Sequence, residues 1–442
     1  MKTKDTTRLI LLLSFLIGTV PTTNAQILKK LKKRAEESVI RTVERKVEEK
    51  SEQKTEQAMD SLFQLGKKGK RKRRKKKKRG KEVGTEMNDP EMMSTEETSF
   101  EAYSKFDFTP GEHILGFEDF SQDEIGDLPA RWNTNTSAEV VTLNTYEGNW
   151  MRIGLGKASF VPEFISEIPE NFTLEFDLIF DFDPNSFAYS RRLGFLLSDL
   201  EDPGYHLDKP QAGQNFFRMN LVGQVGAEYF KVAPNPQLNS DARFPLKQLS
   251  KESDHRGQRM HVAIWRQKNR IRVYVDEKKV FDVPRALEQG VTAKTLRLQS
   301  QVSEENEYFY ISNIRYAVGK PDMRNKLLTE GKLVTYGITF DTASAFLKPE
   351  SHGTLKKIAA VLNQNPDLQV QIVGHTDGDG DENYNLELSI MRASAVEQAL
   401  INQFQVAPEQ LASDGKGETE LLDNGNSLES KAKNRRVEFI RQ

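Results

Sequence analysis

The sequence predicts a multidomain chain in which an all-β sandwich is followed by an α/β domain of a mixed sheet with two packed helices, both behind a basic N-terminal arm. Three observations carry this reading. Short alternating runs with turn residues between them recur across the centre of the chain. From Leu333 the pattern changes to strands alternating with helical stretches. The charge is also split: the 442 residues hold 64 Lys and Arg and 65 Asp and Glu, a net of −1, yet residues 26–81 hold 23 basic and 8 acidic side chains, a net of +15. With +2 on residues 1–25, residues 82–442 carry −18, which describes a basic arm on an acidic body.

The N-terminal elements follow in order. Lys2, Lys4 and Arg8 precede an apolar run from Leu9 to Val20, and Thr23 and Ala25 supply small residues at −3 and −1. Residues 1–25 are therefore expected to be a signal peptide cleaved before Gln26. No later run reaches the roughly eighteen apolar residues a spanning helix needs, so no transmembrane segment is expected after its removal. The chain has no cysteine, which excludes disulfides, thiol catalysis, thiolate metal sites and acylation at a lipoprotein cysteine. In residues 26–66, Leu28, Leu31, Ala35, Val39, Val43 and Val47 recur at steps of three or four, the spacing of an amphipathic helix or short coiled coil. Residues 67–106 read as a disordered Lys/Arg-rich tract and an acidic linker, with thirteen cations in the fifteen positions 67–81. Export and the lack of interleaved aromatics argue against nucleic acid, so the available polyanions are anionic lipid headgroups, lipopolysaccharide phosphates and acidic cell-wall polymers, with a solvated spacer as the alternative reading. Such binding would fall steeply with salt.

Residues 107–320 read as the sandwich. Phe172, Leu174, Phe176 and Leu178 share one face of a strand, and Met260, Val262 and Ile264 alternate with His261, Ala263 and Trp265 on another. Ile271 to Val275, Val280 to Val283 and Tyr308 to Tyr316 are further strands. The opening Phe117-Glu-Asp-Phe120 with Gly126 to Trp132, the central His261 to Trp265 with Val273 to Asp276, and the closing Ile311 to Ile314 together resemble a concanavalin A-like (laminin G-like) jelly roll. That resemblance implies a curved sheet whose concave face often binds glycans; Trp132, Trp150, Tyr189 and Phe216 are candidate platforms, with core packing the expected role for most of them. Sandwich glucanases of this fold carry Glu-x-Asp-x-x-Glu on one strand. Glu175 and Asp177 match the first half, but the third position is Phe180, so the acid/base is missing.

Residues 325–442 carry the sharpest signal. Leu333 to Phe340 reads as a strand, Pro349 opens a helix with Leu355, Ile358, Ala359 and Leu362 on one face, Leu368 to Val373 is a strand, Leu386 to Phe404 is a second helix, and Asn434 to Ile440 is a final strand. Gly374-His-Thr-Asp377 ends a strand; Asn385, Leu388-Ser389, Arg392-Ala393 and Val396 follow, then Gly415-Lys-Gly-Glu418 and Asn434-Arg-Arg-Val-Glu438. In order and spacing these elements resemble the peptidoglycan-binding domain of outer membrane protein A, shared with peptidoglycan-associated lipoproteins and flagellar stator proteins, over residues 333–442. The resemblance implies that Asp377 and Arg392 hold the ammonium and carboxylate of wall diaminopimelate, that Asn385 and Thr376 support them, and that Arg436 is a further cation. Asn385, Ser389 and Arg392 lie at i, i+4 and i+7, on one helix face, and arginine offers a carboxylate a planar fork of donors. Asp377-Gly-Asp379-Gly-Asp381 imitates a calcium loop, but Glu382 and Leu388 occupy its sixth and twelfth positions, so no metal and no cofactor are expected.

The reading joins these parts as a non-catalytic envelope protein of a diderm bacterium, exported to the periplasm or outer membrane. It binds peptidoglycan through its stem peptides and links the wall to an envelope or surface partner. The alternative is a secreted glycan-binding or glycan-hydrolysing protein tethered to the wall by its C-terminal domain.

Overall fold

Alternation in the central strands sets the architecture. The computed structural model describes residues 106–182, 191–207, 213–250, 256–319 and 322–442. The expected signal peptide, amphipathic arm, basic tract and most of the linker lie outside these residues, as does Tyr189. The first sheet is made of β1 (His113–Glu118), β3 (Ala138–Thr142), β4 (Asn149–Ile153), β6 (Asn171–Asp181), β11 (Arg259–Gln267), β12 (Arg270–Val275), β13 (Lys278–Val283) and β15 (Tyr308–Val318). The second is made of β2 (Trp132–Thr134), β5 (Gly156–Pro162), β7 (Arg191–Ser198), β8 (Phe216–Val222), β9 (Gly226–Val232), β10 (Ser240–Phe244) and β14 (Thr295–Val302). Their spatial orders are β13-β12-β11-β6-β15-β4-β3, with β1 also on β15, and β10-β9-β8-β7-β14-β5-β2.

Phe172, Leu174, Phe176, Leu178 and Phe180 of β6 point into the space between the sheets and meet Leu193, Phe195 and Phe217 from the second sheet. Each such buried side chain contributes roughly 1.5–3 kcal/mol. Of the candidate sugar platforms, Trp132 is buried in the inter-sheet core and Trp150 is buried outside it beside Tyr146, 5% and 2% exposed; Phe216 is half-buried.

The other face of β6 carries Glu175 and Asp177. The register places His261 opposite Asp177 and Ala263 opposite Glu175 on β11. On β15 the register shifts between Ser312 and Arg315, with Asn313 at φ 52°. That bulge adds one residue and brings Arg315 opposite Glu175.

The α/β domain contains β16 (Lys332–Thr335), β17 (Val370–His375), β18 (Leu411–Gly417) and β19 (Val437–Arg441) with helices α1 (His352–Asn363), α2 (Glu382–Phe404) and α3 (Leu428–Asn434). The sheet order is β16-β19-β17-β18, and only β17 and β18 run parallel. Leu355, Ile358, Ala359 and Leu362 of α1 and Val396, Ala399 and Leu400 of α2 fill its core against Val370, Ile372 and Phe439.

Four details depart from the sequence reading. The strand from Leu333 stops at Thr335, because Thr335 Oγ1 accepts from Gly337 N at 3.1 Å and turns the chain. The second helix starts at Glu382, one turn earlier than expected. Asp381 caps it, its side chain accepting from Tyr384 N at 2.9 Å. The strand β18 and the short helix α3 were not anticipated; α3 is capped by Ser427, which accepts from Ser430 N at 3.1 Å.

Two glycines fix α2 against the sheet. A Cβ on Gly374 would lie 2.3 Å from Ser389 O, and one on Gly415 would lie 2.3 Å from Ser389 Oγ. This close approach is the physical reason for the two glycine motifs, and it sets Asn385 and Arg392 beside the ends of β17 and β18.

Residues 104–442 form one compact unit, and the two domains share an interface within it. Phe106, at the end of the expected linker, and Phe108 pack with Trp265 and Tyr274 on the outer face of the first sheet. Ile114 of β1 and Ala317 of β15 pack on Ala432 of α3.

Glu118 of β1 is buried with Phe120 N donating to it at 3.0 Å and Arg131 at 4.0 Å. Burial pushes its carboxyl up from 4.5 to about 7, outweighing the hydrogen bond and Arg131. The folded state then holds a proton that the unfolded state has released, so this residue's contribution to stability falls as pH rises from 4.5 to about 7. The expected result is that Glu118→Gln raises the melting temperature at pH 8 and leaves it nearly unchanged at pH 4.5; the cost relieved is at most about 3 kcal/mol. Identical shifts at both pH values would contradict this.

Candidate functional site

A cavity of about 160 Å³ lies where the α/β domain meets the first sheet. Its α/β wall includes His375, Arg392, Arg435 and Arg436, and its sandwich wall includes Phe117, Glu175, Asp177 and Arg315.

Arg392 comes from α2. Its Nε donates to Ser344 O at 2.9 Å, and its guanidinium lies 5.1 Å from the Phe340 ring centroid. Among the described residues its two Nη groups donate no hydrogen bond. Burial and the neighbouring Arg435 lower its pKa to about 10, so it remains a cation at neutral pH. A desolvated guanidinium with uncommitted donors is a ready site for a carboxylate.

Asp377 lies just beyond β17. Its Oδ2 accepts from Arg435 Nη1 at 2.6 Å, and its Oδ1 accepts from Asp379 N at 3.3 Å. Sequence reasoning paired Asp377 with Arg392 across a ligand; in the structure the direct partner of Asp377 is Arg435. Asp377 does not cap α2, since Asp381 does. Asn385 is buried, and its Nδ2 donates to Glu418 Oε2 at 2.6 Å, Asp379 O at 2.9 Å and Asp377 O at 3.4 Å. It clamps the loop that carries Asp377. Thr376 is buried; its N donates to Gly417 O at 3.0 Å, and its Oγ1 has no partner among the described residues.

Arg436 lines the cavity, but its donors are committed: Nε to Glu438 Oε1 at 2.8 Å, Nη2 to Glu420 O at 3.0 Å and Nη1 to Asn434 O at 3.3 Å. Burial alone would raise the Glu438 carboxyl, but contacts with His375, Lys332 and Arg436 hold it well below the usual range. Arg435, inside the Asn-Arg-Arg motif, is the residue that sequence reasoning missed. Adjacent residues point to opposite sides, and the motif alone does not say which arginine meets Asp377. The imitation calcium loop is dispersed: Asp377 pairs with Arg435, Asp379 with Lys431 at 2.9 Å, and Asp381 caps α2.

The opposing wall is an ion cluster. Asp177 Oδ2 accepts from Asn313 Nδ2 at 2.9 Å, Arg259 Nη1 at 3.1 Å and Lys348 Nζ at 3.3 Å, and Oδ1 accepts from His261 Nδ1 at 2.9 Å. Glu175 Oε1 accepts from Arg315 Nη2 at 2.7 Å and Nε at 3.0 Å. Burial would lower the His261 pKa, but Glu350, Asp177 and Glu175 around it raise it to about 10, so the ring is a cation at neutral pH. Burial likewise opposes ionisation of Asp177, yet Lys348, Arg259 and His261 hold its carboxyl well below the usual range. Asp177, His261 and Glu350 place one ligand atom each within 4.8 Å of one another, a spacing that suits a metal ion. Protonated His261 and the ammonium and guanidinium on Asp177 already supply the positive charge there, so the donor set does not fit a cation.

Comparison with known proteins bears on the α/β domain. Residues 339–435 match the OmpA family. Over 102 residues the chain is 40% identical to "Probable lipoprotein YiaD" of Escherichia coli (strain K12), covering 23% of this chain and 46% of that protein. It is 36% identical over 103 residues to the "Peptidoglycan-binding protein ArfA" of Mycobacterium tuberculosis (strain ATCC 25618 / H37Rv), covering 23% of this chain and 31% of that protein. The solved peptidoglycan-associated lipoprotein from Burkholderia pseudomallei is 30% identical, with 24% of this chain and 88% of that chain covered and a TM-score of 0.23. The chain spans less than half the length of these two curated relatives. Residues 339–435 are an OmpA family domain.

Proposed function

We propose that the protein is a non-catalytic cell-envelope component that binds peptidoglycan through the diaminopimelate of its stem peptides. The observation that carries this reading is Arg392, a half-buried guanidinium that lines the cavity and whose two Nη groups donate no hydrogen bond among the described residues. A zwitterionic end group needs a planar fork for its carboxylate and an anion for its ammonium; Arg392 and Asp377 are those two groups. The peptidoglycan-associated relatives support the ligand class. The same relatives support an envelope location, periplasmic or at the outer membrane. Among the described residues no helix is long and apolar enough to cross a membrane.

In this reading the sandwich is a concanavalin A-like jelly roll without hydrolytic activity. Glu175 and Asp177 are engaged by four cationic side chains and covered by the α/β domain, which leaves no carboxyl free as acid or nucleophile. A glycan bound by the sandwich would have to use its second sheet. The test is sedimentation of the full chain with purified diaminopimelate-containing sacculi. Co-sedimentation of the wild type and its loss in Asp377→Ala is expected; a wild-type chain that stays in the supernatant would sink the reading.

A further inference from the structure

We propose that the sandwich supplies one wall of the stem-peptide pocket, with Phe117 and Asp119 of the first sheet's β1 region acting as positioning residues for Arg435, a second guanidinium for the ligand carboxylate. The inference rests on the peptidoglycan reading above and deepens it. Arg435 is held from both domains. From the α/β side, Asp377 accepts from its Nη1 at 2.6 Å. From the sandwich side, Asp119 Oδ2 lies 3.9 Å from its Nη2, and its guanidinium sits 4.9 Å from the Phe117 ring centroid.

The platform is itself anchored. Phe117 N donates to Glu429 Oε1 at 3.2 Å, Phe117 O accepts from Arg131 Nη1 at 3.0 Å, and Arg131 also pairs with Glu429. Glu429 belongs to α3, the helix that ends just before Arg435. Strand β1 is thereby tied to the element that delivers this arginine. Lys348 on Asp177 at 3.3 Å, and Arg315 on the Tyr336 carbonyl, clamp the same two domains across the cavity.

The wall carries a charge that asks for an anion. Arg392 and Arg435 line the cavity; the carboxylate that answers Arg435, Asp377, is already engaged by it, and the cavity's own carboxylates Glu175, Asp177 and Glu350 are held by Arg315, His261, Lys348 and Arg259. His375 gives an independent sign. It lines the cavity and is 2% exposed; its Nε2 lies 3.5 Å from Glu438 Oε2, the contact that helps hold that carboxyl down, and its Nδ1 has no hydrogen-bond partner among the described residues. Buried polar atoms without partners are rare and mark places where a ligand or water completes the bonding. A carboxylate beside two guanidiniums fits this wall, and that is what a free diaminopimelate end group brings.

The experiment is titration calorimetry of the full chain with the soluble tripeptide L-Ala-γ-D-Glu-diaminopimelate. The variants are Phe117→Leu/Asp119→Asn, Arg435→Gln, their combination, and Arg392→Ala. Phe117→Leu keeps the apolar contact and Asp119→Asn keeps the shape, so the fold survives, and thermal melting checks this. Removing a cation–π contact and a partly exposed ion pair together is expected to weaken binding about tenfold. The loss should nearly vanish in the Arg435→Gln background, because a positioning residue acts only through the group it positions. A purely structural role would cost the same in both backgrounds and would overturn the proposal. Unchanged affinity in Phe117→Leu/Asp119→Asn, with Arg392→Ala abolishing binding, would also overturn it while leaving the peptidoglycan reading intact. No binding by the wild type would remove both.

Discussion

Arg392→Ala in the full chain is expected to weaken binding to diaminopimelate-containing peptidoglycan between roughly 30-fold and several thousand-fold. The range follows from truncating one partner of a desolvated, hydrogen-bonded charge pair, which costs about 2–5 kcal/mol because the other charge stays unpaired. A rim-exposed pair would lose less than about 1 kcal/mol, a change near fivefold. Burial and the neighbouring Arg435 lower the Arg392 pKa to about 10, and the side chain is half-buried, which sets it apart from a rim-exposed pair. Arg392→Lys is the sharper control: it keeps the charge, loses the fork, and should bind weakly rather than not at all. The Nε bond to Ser344 O is the only hydrogen bond that Arg392 makes among the described residues, so the fold should survive, as circular dichroism can verify. Sedimentation with sacculi at wild-type level would contradict the assignment.

Asp177→Ala is expected to cost about 3–5 kcal/mol of stability, measured by urea unfolding. The side chain is 1% exposed and answers three cations at once: Arg259, His261 and Lys348. Removing it takes the carboxylate from Lys348 and leaves Arg259 and His261 with only their longer contacts to Glu350 and Glu175. The exposed pair Lys294–Glu201 is the contrast, since its side chains are 43% and 79% exposed, and Glu201→Ala should cost less than about 1 kcal/mol. Because Lys348 comes from the α/β domain, the Asp177 variant should also loosen the interface. The pH dependence follows from His261. Its folded pKa, near 10, lies above its ordinary 6.5, so its contribution is complete below 6.5 and is lost as pH rises toward 10. Equal stability of Asp177→Ala and wild type at pH 6 would refute the role given to the cluster.

Much of the architecture was legible because it rests on period. The alternation of Phe172, Leu174, Phe176 and Leu178 is a local property of the chain, and so is the spacing of Leu355, Ile358, Ala359 and Leu362. The glycines at 374 and 415 carried their message through spacing, and their reason appears only when Ser389 is seen against both. Other features depend on partners far away in sequence. Which arginine of the Arg435-Arg436 pair meets Asp377 depends on the register of β19, which commits Arg436 to Glu438. The meaning of Glu175 and Asp177 also changed. By sequence they are half of a glycosidase motif; in three dimensions they belong to an interdomain ion cluster built with Arg315, placed by the bulge at Asn313, and with Lys348 from the other domain. Nothing local in either segment announces the other.

The most direct measurement of the central claim compares two tripeptides on the full chain by titration calorimetry, L-Ala-γ-D-Glu-diaminopimelate and the same peptide with L-lysine in the third position. The two differ only in the side-chain carboxylate that Arg392 is proposed to hold. Loss of that carboxylate leaves a half-buried guanidinium without its partner, so the lysine peptide should bind at least about 30-fold more weakly. Equal affinity for the two peptides, or the same ratio in Arg392→Ala as in the wild type, would contradict the account.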